Sequence, residues 1–138
     1  MKEHVEIRHV QADDKEFWFS LDKHLSESEF DKKVRDKQGY ILLINNIPVG
    51  ILRYNLFWDN TPFCTMLYIA NSFQRNGYGR ALVNFWEAEM KSLGYSWLLV
   101  STQSDEEAQY FYRVLGYTDC GSLRAPEQPE ELFLEKRI

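Results

Sequence analysis

Two apolar runs and one amphipathic segment follow each other between Phe63 and Val100. Phe63 to Ile69 has the length of a strand, and Trp97 to Val100 is wholly apolar, which is typical of a buried central strand. Between them, from Gly77 to Leu93, apolar residues recur at helical spacing, namely Leu82, Phe85, Trp86, Met90 and Leu93. Gly94 suits the C-terminal cap of this helix. Strand, helix and strand in this order predict a parallel, right-handed crossover, which requires a sheet with parallel strands.

The segments on either side complete an α/β order. Further strands are predicted at Val5–His9, Tyr40–Ile44, Val49–Phe57, Tyr117–Leu123 and Leu132–Lys136, and further helices at Ala12–Leu25, Ser26–Asp36 and Glu106–Leu115. Ser26 and Glu29 match a capping box at the start of the second helix. A turn is expected at residues 45–48. The order β-α-α-β-β-β-α-β-α-β-β predicts a mixed sheet of six to seven strands with helices on both faces. No repeat or linker interrupts it, so a single domain is expected over residues 1–138.

Composition and charge exclude several classes of protein. The chain has 138 residues, 44% hydrophobic and 27% charged, with a net charge of −5 and scattered Lys and Arg, which argues against a nucleic-acid partner. Apolar runs stay short of the ~20 residues that span a bilayer, and the N-terminus lacks the apolar stretch of a signal peptide, so no membrane partner and a cytoplasmic location are expected. Cys64 and Cys120 form no CxxC pair, and His4, His9 and His24 lack the spacing of a helical metal pair. No metal site is therefore expected.

The segment from Gln74 to Arg80, QRNGYGR, carries the chemistry. Gly77 and Gly79 fall at the predicted helix start, where glycine costs ~1 kcal/mol relative to alanine but lets a ligand approach the backbone. Arg75 and Arg80 place positive charge where the helix dipole already favours an anion. The pattern predicts a phosphate or pyrophosphate site. It is neither a Walker loop, because no Gly-Lys-Ser/Thr follows, nor the dinucleotide fingerprint, because the third glycine is missing.

Two motifs resemble those of the GNAT superfamily of N-acetyltransferases. Gln74-x-x-Gly77-x-Gly79 is similar to that family's acyl-CoA signature, Gln/Arg-x-x-Gly-x-Gly/Ala. The stretch from Ala108 to Tyr117 resembles its Ala-x-x-Phe-Tyr-x-x-x-Gly-Phe/Tyr segment. The element order also matches, so the resemblance covers nearly the whole chain.

The resemblance implies direct transfer of an acetyl group from acetyl-CoA to a primary amine, without a metal. It assigns cofactor binding to Leu67, Tyr68, Ile69, Gln74, Arg75, Asn76, Gly77, Tyr78, Gly79 and Arg80. The backbone of Leu67 to Ile69 would pair with the pantetheine arm, and the Ile69 N–H would polarise the thioester carbonyl. Tyr112 would be the catalytic acid that protonates the departing thiolate. Many members carry Pro where Asn71 stands and a cofactor-contacting Asn where Asp105 stands, and an acid at 105 would repel a phosphate.

The acceptor side stays open at the level of sequence. A small molecule, a peptide amine or a protein amine would each serve. Carboxylates that could accept the amine's proton are Glu27, Glu29, Asp59, Glu127 and Glu130, with Tyr68 as another acceptor-side group. The aromatic loop from Leu56 to Phe63 either lines the acceptor site through Phe57 and Trp58 or packs under a hairpin or in a homodimer contact. The alternative to an enzyme is a non-catalytic acyl-CoA-binding or sensor domain on the same fold.

Overall fold

A computed structural model describes residues 3–138. Its strands are β1 Val5–His9, β2 Gly39–Ile44, β3 Ile47–Phe57, β4 Thr61–Ile69, β5 Trp97–Gln103, β6 Thr118–Leu123 and β7 Glu131–Arg137. Its α-helices are α1 Lys15–Leu21, α2 Glu27–Asp36, α3 Tyr78–Ser92 and α4 Ala108–Val114, and short 3₁₀ turns lie at Ala12–Asp14 and Asn71–Phe73. The predicted order of strands and helices is confirmed.

The seven strands form one mixed sheet in the order β1-β2-β3-β4-β5-β7-β6. β4 and β5 are parallel, with Phe63 opposite Leu99 and Cys64 opposite Val100, as the crossover through α3 requires. β1 with β2, β2 with β3, β5 with β7 and β6 with β7 pair antiparallel. The predicted fold class is therefore confirmed.

The chain groups into two compact units, each described on its own. The first unit runs up to Tyr54 and again from Met66 to Trp86. Its core cluster consists of Val10, Trp18, Phe30, Ile41, Leu43 and Ile51. Trp18 of α1 meets Phe30 of α2 edge to face at 5.9 Å between ring centroids. Each such buried side chain contributes about 1.5–3 kcal/mol, so α1 and α2 are held firmly on the strands.

The second unit contains residues 55–65 and everything from Glu87 onward. Leu98 and Val100 of β5 and Leu134 of β7 are fully buried, which explains the uninterrupted apolar run in β5. The Tyr117 hydroxyl donates to Glu87 at 2.7 Å, and Lys136 Nζ reaches the same carboxylate at 3.0 Å. Charge and hydroxyl thus neutralise a half-buried acid at the end of α3.

Three local predictions needed correction. The first helix ends at Leu21, not Leu25, because Asp22 adopts an extended conformation. The turn between β2 and β3 takes only Asn45 and Asn46, both at positive φ, and Pro48 lies within β3. A two-residue turn of this hand matches the twist of the strands that it joins.

The buried face of α3 is narrower than its apolar spacing predicted. Leu82, Trp86 and Met90 are fully buried, but Phe85 is 38% and Leu93 62% exposed. Leu93 follows the last helical turn, where Gly94 at a φ of +96° ends α3 as predicted. Phe85 packs its ring edge-on against Tyr40 at 5.6 Å while part of it stays in contact with solvent.

In residues 3–138, no helix is long and apolar enough to cross a membrane.

Candidate acyl-CoA and acceptor sites

The segment predicted to bind phosphate forms an exposed loop that leads into α3 (hereafter the cradle, residues 74–80). Arg75 and Gly77 both have positive φ, +65° and +83°, which turns the chain sharply before the helix. The first intrahelical bond runs from Ala81 N–H to the Gly77 carbonyl at 3.0 Å. The N–H groups from Gly77 to Arg80 therefore precede the helical ladder and have no helical acceptor. This is the arrangement that binds an anion at a helix N-terminus.

Space and charge in the cradle also suit a phosphate. A Cβ added at Gly77 would meet no protein atom within 4 Å, so the backbone there faces open space. Arg75 and Arg80 are exposed, whereas the Tyr78 ring is buried and its hydroxyl donates to Glu3 at 2.7 Å. Tyr78 thus holds the helix start through its side chain, which leaves its backbone N–H for a ligand.

Gln74 has a structural task that the motif alone did not reveal. Its side-chain nitrogen donates to the Ile69 carbonyl at 2.8 Å and to Asn71 Oδ1 at 3.2 Å. Asn76 likewise turns inward and donates to the carbonyls of Phe73 and Gln74 at 3.2 Å. These side chains clamp the end of β4 to the cradle, so their contribution to binding a ligand would come from their backbones.

A cleft of about 440 Å³ opens in the first unit, between the end of α1 and the end of β4 (hereafter the cleft). Its polar lining comes from Ser20, Lys23, His24, Tyr68 and Asn71, and its apolar lining from Leu21, Met66 and Ala70. Of these, the sequence singled out only Tyr68 as an acceptor-side group. The others were missed because residues 20–24 meet β4 only in the folded chain.

Buried Asp22 fixes the wall of the cleft that residues 21–24 form. Its side chain is 0% exposed and accepts hydrogen bonds from Arg53 Nε at 2.7 Å, Trp18 Nε1 at 3.1 Å and the His24 N–H at 3.0 Å. Burial alone would raise the pKa of Asp22, but these donors outweigh burial and the pKa is lowered. A charged Asp22 therefore ends α1 and orients the turn that carries Lys23 and His24.

Tyr112 lies on α4 in the second unit, and its side chain is buried. Burial raises the pKa of its phenol well above the usual value, and the interactions with Cys64, including a hydrogen bond, and with Glu106 raise it further. The Tyr117 ring packs edge to face on it at 5.6 Å. Tyr112 therefore keeps its proton throughout the neutral range, which suits a proton donor and excludes a phenolate base.

The aromatic loop between β3 and β4 packs as a cluster within the second unit. Phe57 contacts both Trp58 and Phe63, at 4.7 and 6.0 Å between ring centroids, and Phe63 stacks on Phe133 at 5.4 Å. Trp58 and Asp59 occupy the hairpin tip with positive φ, and Trp58 is 70% exposed. Packing under the hairpin is thus shown for Phe57, and an acceptor role for Trp58 stays a prediction.

The carboxylates considered as bases do not line the cleft in the described part of the chain. Glu27 pairs with Lys15 at 3.3 Å, and Glu29 with Lys32 at 2.8 Å. Glu130 accepts from Ser122 at 2.9 Å, and Asp59, Asp105 and Glu127 are exposed. Ser26 caps α2 by accepting from the Glu29 N–H at 3.2 Å. Glu27 and Glu29 are thus partnered within the helical region that they begin.

Cys64 and Cys120 carry thiols and are not joined in a disulfide. Within residues 3–138, no group of three or more His, Cys, Asp or Glu side chains is arranged to hold a metal ion.

Solved structures with the same fold come from several organisms. Ard1 from Thermoplasma volcanium superposes with a TM-score of 0.87 at 14% identity, covering 97% of both chains. The ribosomal-protein-S18-alanine N-acetyltransferase from Escherichia coli has a TM-score of 0.81 at 18% identity, covering 98% of this chain and 94% of that one. A GNAT family acetyltransferase from Elizabethkingia anophelis with acetyl-CoA bound has a TM-score of 0.76 at 18% identity, covering 99% and 100%. At these identities the likeness establishes the fold.

A search of curated proteins gave no match. A family model, however, matches residues 5–117, which include both the cradle and the α4 segment with Tyr112. The match extends over most of the chain and agrees with the fold. This chain therefore belongs to the acetyltransferase (GNAT) family.

Proposed function

We propose that the protein transfers the acetyl group of acetyl-CoA directly to a primary amine. The cradle is the observation that carries this proposal: an exposed glycine loop, a helix start with N–H groups outside the helical ladder, and two exposed arginines. A purely structural helix start has no need of two positive-φ residues beside two arginines. The cofactor's phosphates supply the anionic oxygens that such a loop binds.

The donor site extends from the cradle along β4. Arg75, Arg80 and the N–H groups from Asn76 to Arg80 bind the phosphates. The backbone of Leu67 to Ile69 pairs with the amide-bearing arm of the donor as an added strand. The Gln74 clamp on the Ile69 carbonyl keeps the end of this strand in register with the cradle. The Ile69 N–H then donates to the thioester oxygen as negative charge develops on it.

The acceptor binds in the cleft, which shares Tyr68 with the proposed donor strand. The amine nitrogen attacks the thioester carbon, the carbon–sulfur bond breaks, and one proton leaves the amine. His24 lines the cleft with an imidazole, which can accept that proton directly or through water. We assign this step to His24, because the carboxylates predicted from sequence do not line the cleft within the described residues.

The leaving thiolate needs a proton, and we assign its donation to Tyr112. A phenol with a raised pKa remains protonated at neutral pH and so is ready to donate. Resemblance to the family's Ala-x-x-Phe-Tyr segment and the protonated state of Tyr112 both support this role.

Two measurements test the proposal. Acetyl-CoA at 100 times its Kd is expected to stabilise the protein by about 2.7 kcal/mol, seen as a rise of several degrees in Tm. Release of free thiol from acetyl-CoA is then expected to depend on an added amine. Stabilisation without thiol release for any amine would favour the non-catalytic binding domain, and no stabilisation at saturation would refute both functions.

A further inference from the structure

The cleft is lined by donors and a cation rather than by acids. Of the described residues, those that line it include Lys23, His24 and Asn71 but no Asp or Glu. The nearest acid along the chain, Asp22, is buried and paired with Arg53, so its charge is already neutralised behind the cleft wall. A polycationic amine would therefore find no counter-charge in the lining.

Lys23 is held where it can meet a ligand. Its ammonium donates to the Phe19 carbonyl at 2.9 Å, near the C-terminal end of α1. An ammonium has three donors, so two remain for other acceptors. The rigid turn set by Asp22 and His24 keeps this ammonium at the cleft instead of leaving it on a freely moving loop.

The orientation of the Asn71 amide follows from its neighbours. The Ile69 carbonyl can only accept, so Gln74 must direct its NH₂ group toward it. The same NH₂ group reaches Asn71, which must therefore present its oxygen, and the Tyr68 hydroxyl donates to that oxygen as well at 3.2 Å. The Asn71 NH₂ group is then left as a donor among the groups that line the cleft.

We propose that the acceptor is a small amine that also carries a carboxylate, of the amino-acid type, with Lys23 and Asn71 binding that carboxylate. The inference rests on the proposed function and deepens it by naming the substrate class. The net charge of −5 does not oppose it, because charges beyond about 8 Å are largely screened at physiological ionic strength while Lys23 acts at contact. A cleft of about 440 Å³ also accommodates a ligand of amino-acid size.

Matched pairs of amino acids and their carboxamides test this directly. Amidation removes the negative charge with little change in size, and it also lowers the pKa of the amine, which makes the amide the better nucleophile. A preference for the acid therefore reports on binding. With thiol release as the readout, we expect kcat/KM to be at least about 10-fold higher for the acids, a difference of about 1.4 kcal/mol.

Lys23→Gln is expected to bring the acid-to-amide ratio close to one while leaving turnover of the amides unchanged. The matched control is Lys32→Gln, which removes an exposed lysine of α2 that pairs with Glu29 and does not line the cleft. It should keep the wild-type ratio. Equal rates for acids and amides, faster turnover of polyamines, or an unchanged ratio in Lys23→Gln would each overturn the inference.

Failure of the inference is distinguishable from failure of the proposed function. If no carboxylate-bearing amine is acetylated, the inference is wrong, whatever other amines do. The proposed function still stands if acetyl-CoA stabilises the protein and another amine is acetylated. It falls if neither stabilisation nor amine-dependent thiol release is observed.

Discussion

At the scale of single residues, burial decides which tyrosine acts as an acid. Tyr112 and Tyr110 lie on the same helix, but Tyr112 is buried beside Cys64 and Tyr110 is 61% exposed. Burial keeps the proton on Tyr112 and holds the hydroxyl in one place, whereas Tyr110 only meets water. Composition could not separate the two, and the position within the α4 motif did.

Tyr112→Phe is expected to lower kcat by about 100-fold or more, because it removes the proposed proton donor and little volume. The Kd for acetyl-CoA should remain near the wild-type value. In the wild type, the raised pKa predicts no alkaline loss of activity from this group below about pH 10. Tyr110→Phe is the control and should retain full kcat. Normal turnover by Tyr112→Phe would remove Tyr112 from the mechanism.

Asp22→Asn is expected to destabilise the fold by about 3 kcal/mol, because it leaves Arg53 without its buried counter-charge. The lowered pKa of Asp22 means that its contribution is present above the unfolded pKa of about 3.9 and is lost as pH falls through the folded value. The difference between wild type and variant should therefore shrink below about pH 4. Urea unfolding at several pH values measures it. Asp36→Asn, which breaks an exposed pair with Arg35, should leave the midpoint unchanged.

At the scale of elements, two glycines offer a matched comparison at opposite ends of α3. Gly77 and Gly94 both have positive φ, +83° and +96°, and a Cβ on either would meet no atom within 4 Å. Alanine at either position should cost about 1–2 kcal/mol of stability from backbone strain alone. Only Gly77→Ala adds a methyl group to the cradle. We therefore expect a roughly 10-fold weaker Kd for acetyl-CoA, by calorimetry, in Gly77→Ala alone. Equal Kd values in the two variants would contradict the cradle's role.

Local signals predicted most elements and the cradle. Gly94 ended α3 and Ser26 began α2 where the sequence indicated, because caps act within one helical turn. The cradle was found for the same reason, since its seven residues are contiguous. The end of α1 was missed because the partner that draws Asp22 inward, Arg53, lies 31 residues away. The cleft was missed for the same kind of reason: Lys23 and Asn71 share a wall only after folding.

At the scale of the whole molecule, net charge and local charge pull an anionic donor in opposite directions. The chain carries −5, which repels the cofactor's phosphates, while Arg75 and Arg80 attract them within the cradle. The Debye length decides which effect dominates, because it is about 30 Å at 0.01 M salt and about 8 Å at 0.15 M. A charge distributed over the whole surface and two charges at contact distance respond to salt with opposite signs.

We expect the Kd for acetyl-CoA to rise as salt is increased from about 0.01 M to about 0.15 M, because the contact with the arginines is weakened more than the diffuse repulsion is relieved. The double variant Arg75→Gln/Arg80→Gln should bind more weakly at both salt concentrations, with the salt dependence flattened or reversed. Arg35→Gln/Lys91→Gln removes the same charge from exposed sites outside the cradle and should keep the wild-type slope. Calorimetric titrations at the two salt concentrations measure all three proteins. A Kd that falls with added salt in the wild type would mean that the net charge governs donor binding and that the two arginines of the cradle do not.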